Sequence, residues 1–236
     1  MSRAPLRYAG WMARDIATGP GAIMVAVALL VTFILWRMTN IPSSHGDVSG
    51  LVRAIVDQAA MPFVLLATGG MVSGDLVNGY YRSYFSRPVS PVAYYLQRWL
   101  LGAAAVLLFI PILAAGIALR TGTFAAPAAL FAKVGLLYLM LGGLVLLAST
   151  LTRRDWIVAL VIYVFQSILH SIAAAPTPGA TVRTLHAILP PFHAASVRAP
   201  MPEGAALLHP LLYGLGLVLA ALAVIRWRPL GSGGRA

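Results

Sequence analysis

Six long apolar stretches, set apart by short polar and basic segments, organise this chain. Runs of about 20 apolar residues, the length that crosses roughly 30 Å of hydrocarbon as a helix, fall at residues 20–38, 52–73, 93–119, 127–151, 156–175 and 205–226. The pattern predicts an all-α integral membrane protein with one six-span transmembrane domain over residues 20–226. Residues 1–19 form an N-terminal segment and 227–236 a C-terminal tail. Composition points the same way: 60% of residues are hydrophobic and only 10% charged, with a mean hydropathy of +0.85. A soluble domain carries roughly 25% charged residues and could not bury this much apolar surface.

The first span follows a basic region, as a signal peptide does. Its apolar run exceeds the usual signal core of about 7 to 15 residues, and Arg37-Met38-Thr39 is no small-x-small cleavage site, so it is expected to stay as a helix. Six spans put both termini on one side. Eleven of the 17 basic residues fall on that side and six on the other. Because Lys and Arg in short loops are retained in the cytoplasm, the termini, the 74–92 loop and the 152–155 turn are expected there. Arg53 and Lys133 lie just inside helix ends, where they are expected to snorkel to the interface.

The net charge of +11 and the pI near 10.9 would suggest nucleic acid in a soluble chain. Here the arginines are spread along membrane boundaries, so anionic lipid headgroups are the expected partner and nucleic acid is not. Cysteine is absent, which excludes disulfides, thiolate metal sites and cysteine nucleophiles. No G-x-x-x-x-G-K-[ST] loop occurs and no polar segment is long enough for a nucleotide-binding domain, so any ATP dependence must come from another chain. No cofactor is expected in this one.

In the N-terminal segment, Leu6, Tyr8, Trp11, Met12 and Ile16 alternate with Arg7, Arg14 and Asp15. This suits a helix lying in the cytoplasmic interface; a solvated basic tail is the alternative. The segment between spans two and three, Ser73-Gly74-Asp75-Leu76-Val77-Asn78-Gly79-Tyr80-Tyr81-Arg82-Ser83-Tyr84-Phe85-Ser86-Arg87-Pro88-Val89-Ser90-Pro91, is more distinctive. Gly79 permits a turn, Tyr80 to Ser86 can form about two helical turns, and Pro88 ends that piece. Ser90 then caps the third span with Pro91 in its first turn.

An acidic residue and glycine after the second span, a short amphipathic helix and a Ser-x-Pro-Val-Ser turn into the third resemble the permease subunits of type-2 ABC exporters. Asp75, Gly79, Ser86, Pro88, Val89 and Ser90 carry the match; Tyr80, Tyr81, Tyr84 and Phe85 stand where leucines and further acidic residues are usual. The layout of six spans, an N-terminal interfacial helix and a long loop before the last span extends the likeness over nearly the whole chain.

The resemblance implies a non-catalytic permease of a bacterial-type inner membrane, paired with a second copy or a related permease. Separate ATP-binding cassette subunits would supply ATP and Mg. It makes the 75–90 segment a coupling helix, with Asp75, Gly79, Tyr80, Tyr81, Arg82, Tyr84, Phe85 and Pro88 as contacts and Arg153 and Arg154 as a secondary contact. Both loops could instead be plain solvated connections.

Ionisable residues inside spans are functional candidates, because each costs roughly 2.5 to 3.5 kcal/mol at a helix centre on insertion scales. Asp57, beside Gln58 and one turn before Met61, sits near the outer end of the second span; Arg53 lies four residues earlier and can pair with it. In the fifth span Tyr163, Gln166, Ser167 and His170 fall on one helical face. These seven residues, Asp57, Gln58, Met61, Tyr163, Gln166, Ser167 and His170, are the candidate substrate path for an amphipathic or hydrophobic substrate. Interhelical hydrogen bonding is the competing role for the stripe, and a local ion pair for Asp57.

No G-x-S-x-G nucleophile motif accompanies Ser167 and His170, so no catalytic residues are expected. His186, His193 and His209 around the outer loop match no helical ligand spacing, so no metal site is expected. Gly135, Gly142 and Ser149 recur every seven residues and predict a close helix approach. Pro62 and Pro111 can kink spans two and three. Six prolines in the 176–204 loop exclude one continuous helix, while its apolar Leu185, Ile188, Leu189 and Phe192 call for short pieces capping the outer mouth. The rival classes are an ion-coupled secondary transporter, which usually carries inverted repeats absent here, a polytopic membrane enzyme and an assembly scaffold.

Overall fold

The computed structural model describes residues 4–37, 45–79, 90–175, 177, 179–197 and 199–227. All regular structure among them is helical. In chain order these are α1 (Ala4–Thr18), α2 (Pro20–Arg37), α3 (His45–Thr68), α4 (Ser73–Val77), α5 (Pro91–Thr121), α6 (Ala128–Leu151), α7 (Asp155–Ala173), α8 (Ala180–Ile188), a 3₁₀ turn (Phe192–Ala195) and α9 (Ala205–Trp227).

Six of these helical stretches are long and apolar enough to cross a membrane: Pro20–Arg37, Gly46–Val77, Pro91–Thr121, Ala128–Leu151, Asp155–Ala173 and Ala205–Trp227. Large apolar side chains line their outward faces, among them Phe33 on α2, Val161 and Phe165 on α7, and Leu212 and Leu219 on α9. Water would not tolerate such a surface and lipid would, so the chain is a multi-pass membrane protein. The bundle has two ends: a near end that carries α1 and the α6–α7 turn, and a far end that carries the α7–α9 connection. Helix α6 is central, with 72% of its most apolar 18-residue stretch buried, against 11% for α2 and 17% for α7.

The boundaries follow local chemistry. Helix α5 opens as its sequence implies: the Ser90 hydroxyl accepts from the Ala93 N–H at 3.5 Å, Pro91 sits in the first turn, and Gly122 ends the helix at φ 69°. Both Pro62 and Pro111 sit inside unbroken helices. The second span is less uniform than one run over 52–73. It starts earlier, at His45, and breaks after Thr68, where Gly70 takes φ 71°. That left-handed conformation is open to glycine at little cost, and it turns the chain into the short α4.

The expected close approach holds at Gly142, where an added Cβ would stand 3.2 Å from Thr68 Cγ2 and 3.3 Å from Trp99 Nε1, and not at Gly135, which has nothing within 4 Å. A π-helical turn at Tyr138–Gly142 interrupts α6 and adds one residue to the turn, and the next residue, Gly143, makes a second close approach, to α9. A Cβ on Gly143 would stand 3.0 Å from Val218 Cγ2, and one on Gly214 would stand 2.6 Å from Leu139 Cγ, so α6 and α9 meet there. The same π turn presents Tyr138, whose hydroxyl donates to the Trp99 carbonyl at 2.6 Å, against Gly102 of α5.

Helix α1 is amphipathic, with Met12 and Ile16 buried one turn apart and Trp11 and Arg14 exposed. Asp15 reaches Arg98 of α5 at 4.0 Å. Lys133 departs from the expectation of snorkelling: it is buried and donates from Nζ to the carbonyls of Ser196, at 2.6 Å, and Ala199. The α7–α9 connection folds back over α6 and supplies acceptors closer than the interface. Arg53 is exposed.

Candidate functional site

A cavity of about 220 Å³ lies towards the far end, between α3, α6 and α7, beneath the Phe192–Val197 segment. Helix α7 supplies Tyr163, Gln166, Ser167 and His170, which a spacing of three and four residues places on one face. Helix α3 supplies Asp57, Ala60 and Met61. Six of the seven candidate path residues therefore meet in one cavity. Gln58 does not: it is exposed, one position round α3 from Asp57.

Gln166 is the least solvated polar group on the wall. It is 1% exposed, and neither its amide nitrogen nor its oxygen has a hydrogen-bond partner among the described residues. Leaving a buried amide unsatisfied costs about 1 to 3 kcal/mol. Asp57 is within electrostatic reach of Lys133 and of Tyr163. The Ser167 hydroxyl donates to the Tyr163 carbonyl at 3.0 Å. The cavity thus offers one amide free in both senses, a carboxylate at one side, hydroxyl and imidazole groups from Tyr163, Ser167, His170, His193 and Ser196, and an apolar part that includes Met61, Val134 and Leu137.

The cap over it is fixed at several points. Phe192 is buried with its ring 5.2 Å from that of Tyr163. Lys133 holds the carbonyls beyond it, and the Tyr213 hydroxyl donates to the Ile188 carbonyl at 2.9 Å. The short helical pieces expected over residues 176–204 are α8 and the 3₁₀ turn, and α8 keeps Leu185 and Ile188 exposed. Phe192, His193, Ser196 and Val197 join the lining from this cap. No spacing rule marks them, because their distance in sequence from α7 hides the fold-back.

His193 borders the cavity, and its Nδ1 is buried without a hydrogen-bond partner. Burial, and then the neighbouring His170, His186 and His209, push its pKa down to about 4, so the ring is neutral at pH 7.

At the near end the described part of the 75–90 segment is its stem. Asp75 is buried and accepts from Arg98 Nη1 at 3.3 Å through both carboxylate oxygens; the same nitrogen reaches the Met71 carbonyl at 3.2 Å. Asp155, 1% exposed, accepts from the Gly70 N–H at 2.8 Å and the Ser73 hydroxyl at 3.1 Å. Arg98, which no short motif flags, and Asp155, which follows Arg153 and Arg154 in the run expected as a secondary contact, clamp the stem to α5 and α7. Gly79 takes φ 71°, as a turn there requires. Arg153 and Arg154 are exposed beside Asp155. Tyr80, Tyr81, Arg82, Tyr84, Phe85 and Pro88 lie outside the described residues.

No protein-family model matches the chain, and no curated protein matches it.

Proposed function

We propose that this chain is the permease subunit of an ATP-driven type-2 ABC exporter, which moves an amphipathic or hydrophobic substrate across a bacterial-type inner membrane. Its termini and the 75–90 segment face the cytoplasm, in keeping with the basic bias of that side. Two permease copies, identical or related, pair with separate ATP-binding cassette subunits that carry ATP and Mg. The permease breaks no bonds.

The observation that carries this reading is the path from the stem to the cavity. Asp155 starts α7 and holds Gly70 and Ser73 of the stem. The same helix puts Tyr163, Gln166, Ser167 and His170 on the cavity wall. Eleven residues of helix separate Asp155 from Gln166, about 16 Å at 1.5 Å per residue. A push on the 75–90 segment by the ATPase is passed through Asp155 to α7 as a rigid body, and the cavity wall moves with it. Buried Asp75 serves this scheme by anchoring the stem to Arg98, while Tyr80, Tyr81, Arg82, Tyr84, Phe85, Arg153 and Arg154 make the docking contacts. Helix α1 lies in the cytoplasmic interface with Trp11 and Arg14 outward.

An ion-coupled secondary transporter would use the same cavity without an ATPase. Gentle purification of the tagged chain from its native membrane separates the two. The exporter reading expects a co-purified ATPase that is lost in the Tyr84→Ala, Phe85→Ala double variant. A well-folded permease that never brings down ATPase activity would leave the secondary transporter as the better reading.

A further inference from the structure

We propose that His170, His186 and His193 form a binding site for a divalent transition-metal ion, zinc by class, which clips the far-end cap to the fifth span. The three residues come from three elements: the end of α7, helix α8 and the 3₁₀ turn. One ligand atom from each lies within 4.8 Å of the other two. His170 Nδ1 and His186 Nε2 are 3.0 Å apart. The ring of His170 stacks on that of His193 with centroids 4.2 Å apart and planes 5° from parallel. In a tetrahedral zinc site with Zn–N of 2.0–2.1 Å, ligand nitrogens stand about 3.4 Å apart. The pair is about 0.4 Å inside that separation, and the widest gap has to close by no more than roughly 1.4 Å. The stacked rings have to rotate by roughly tens of degrees for their in-plane lone pairs to converge on one ion.

The donor set selects the ion. Three imidazole nitrogens with no cysteine anywhere in the chain suit zinc, nickel or copper and give magnesium or calcium nothing to prefer. Three protein ligands also leave a fourth position open to water or a small anion. A second observation points to a ligand: His193 Nδ1 is buried and has no hydrogen-bond partner among the described residues. His170 and His193 also line the cavity, so the ion would sit at its far-end edge. With α8 and the 3₁₀ turn both tied to α7, the metal restrains the cap that Lys133 and Tyr213 hold from the other side. The site rests on the cap geometry and holds for any transporter class.

The test uses the full chain in detergent with a tag that contains no histidine. Zinc is titrated by equilibrium dialysis with elemental analysis, and hydrogen exchange of residues 180–195 is followed with and without zinc. The expected result is saturable binding of a single zinc per chain, slowed exchange across the cap, and affinity at least about tenfold weaker in each of His170→Ala, His186→Ala and His193→Ala. Thr184→Ala, at an exposed position of the same helix as His186, keeps wild-type affinity. Should any of the three variants fail to fold, the cobalt spectrum of the wild-type chain decides, since nitrogen-ligated tetrahedral cobalt absorbs strongly in the visible. No saturable binding, binding unchanged in the three variants, or a purely octahedral cobalt spectrum would overturn the site.

Discussion

The carboxylate of Asp155 accepts a hydrogen bond from the Ser73 hydroxyl at 3.1 Å, joining the start of α7 to the stem of the 75–90 segment across 82 residues of sequence. The Gly70 N–H shares the same oxygen at 2.8 Å. Asp155→Ala strips three donors, the Ser73 hydroxyl and the N–H groups of Gly70 and Trp156, of their acceptor. It should destabilise the fold by about 1 to 3 kcal/mol. Ser73→Ala, which deletes one donor and strands nothing, should cost about 0.5 to 1.5 kcal/mol. Because the two share one contact, the double variant should fall short of the sum. Unfolding in detergent checks all three.

Gln166 gives a prediction of opposite sign. An apolar side chain of similar size removes a buried amide that nothing satisfies, so Gln166→Leu should raise stability by about 1 kcal/mol or more. Thermal unfolding measures it. A clear loss of stability would mean that the amide has a partner in the folded protein.

Two neighbouring glycines on α9 separate close packing from open space. Gly214→Ala places a methyl 2.6 Å from Leu139 and should destabilise by about 1 to 3 kcal/mol. At Gly216 nothing lies within 4 Å of the added Cβ, so Gly216→Ala should be neutral or gain up to about 1 kcal/mol from helix propensity. Equal melting temperatures for the two variants would place the α6–α9 contact elsewhere.

Lys133 ties the cap to α6 through the carbonyls of Ser196 and Ala199. In Lys133→Met those acceptors lose their donor while the packing volume is kept. Proteolysis and hydrogen exchange within residues 192–199 should accelerate several-fold, with the near end unchanged.

How far the sequence foretold this molecule depends on the range of the interaction involved. The six spans were legible because a helix in hydrocarbon needs a continuous apolar run, and the α7 stripe because 3.6-residue periodicity is local. The close approach at Gly142 was legible in its lack of a side chain, but that of Gly143 to α9 was not, since a π turn has no clear sequence mark. Lys133 was assigned to the interface because the carbonyls it donates to lie 63 and 66 residues away. His186, His193 and His209 were set aside on helical spacing, whereas the fold-back of α8 and the 3₁₀ turn brings the first two against His170, a grouping that no single helix could make. Gln58 was grouped with Asp57 by adjacency alone, although neighbouring helix positions diverge by 100°.

The most direct test of the link between the stem and the cavity uses the absence of cysteine in the chain. Ser167→Cys places a single thiol on the cavity face of α7, and its rate of reaction with a small maleimide is read on this chain alone, in the complex co-purified with its ATPase. The account predicts that adding ATP and Mg changes that rate several-fold, and that Asp155→Ala in the same background abolishes the change. A rate indifferent to ATP in a complex that actively hydrolyses it would contradict the account.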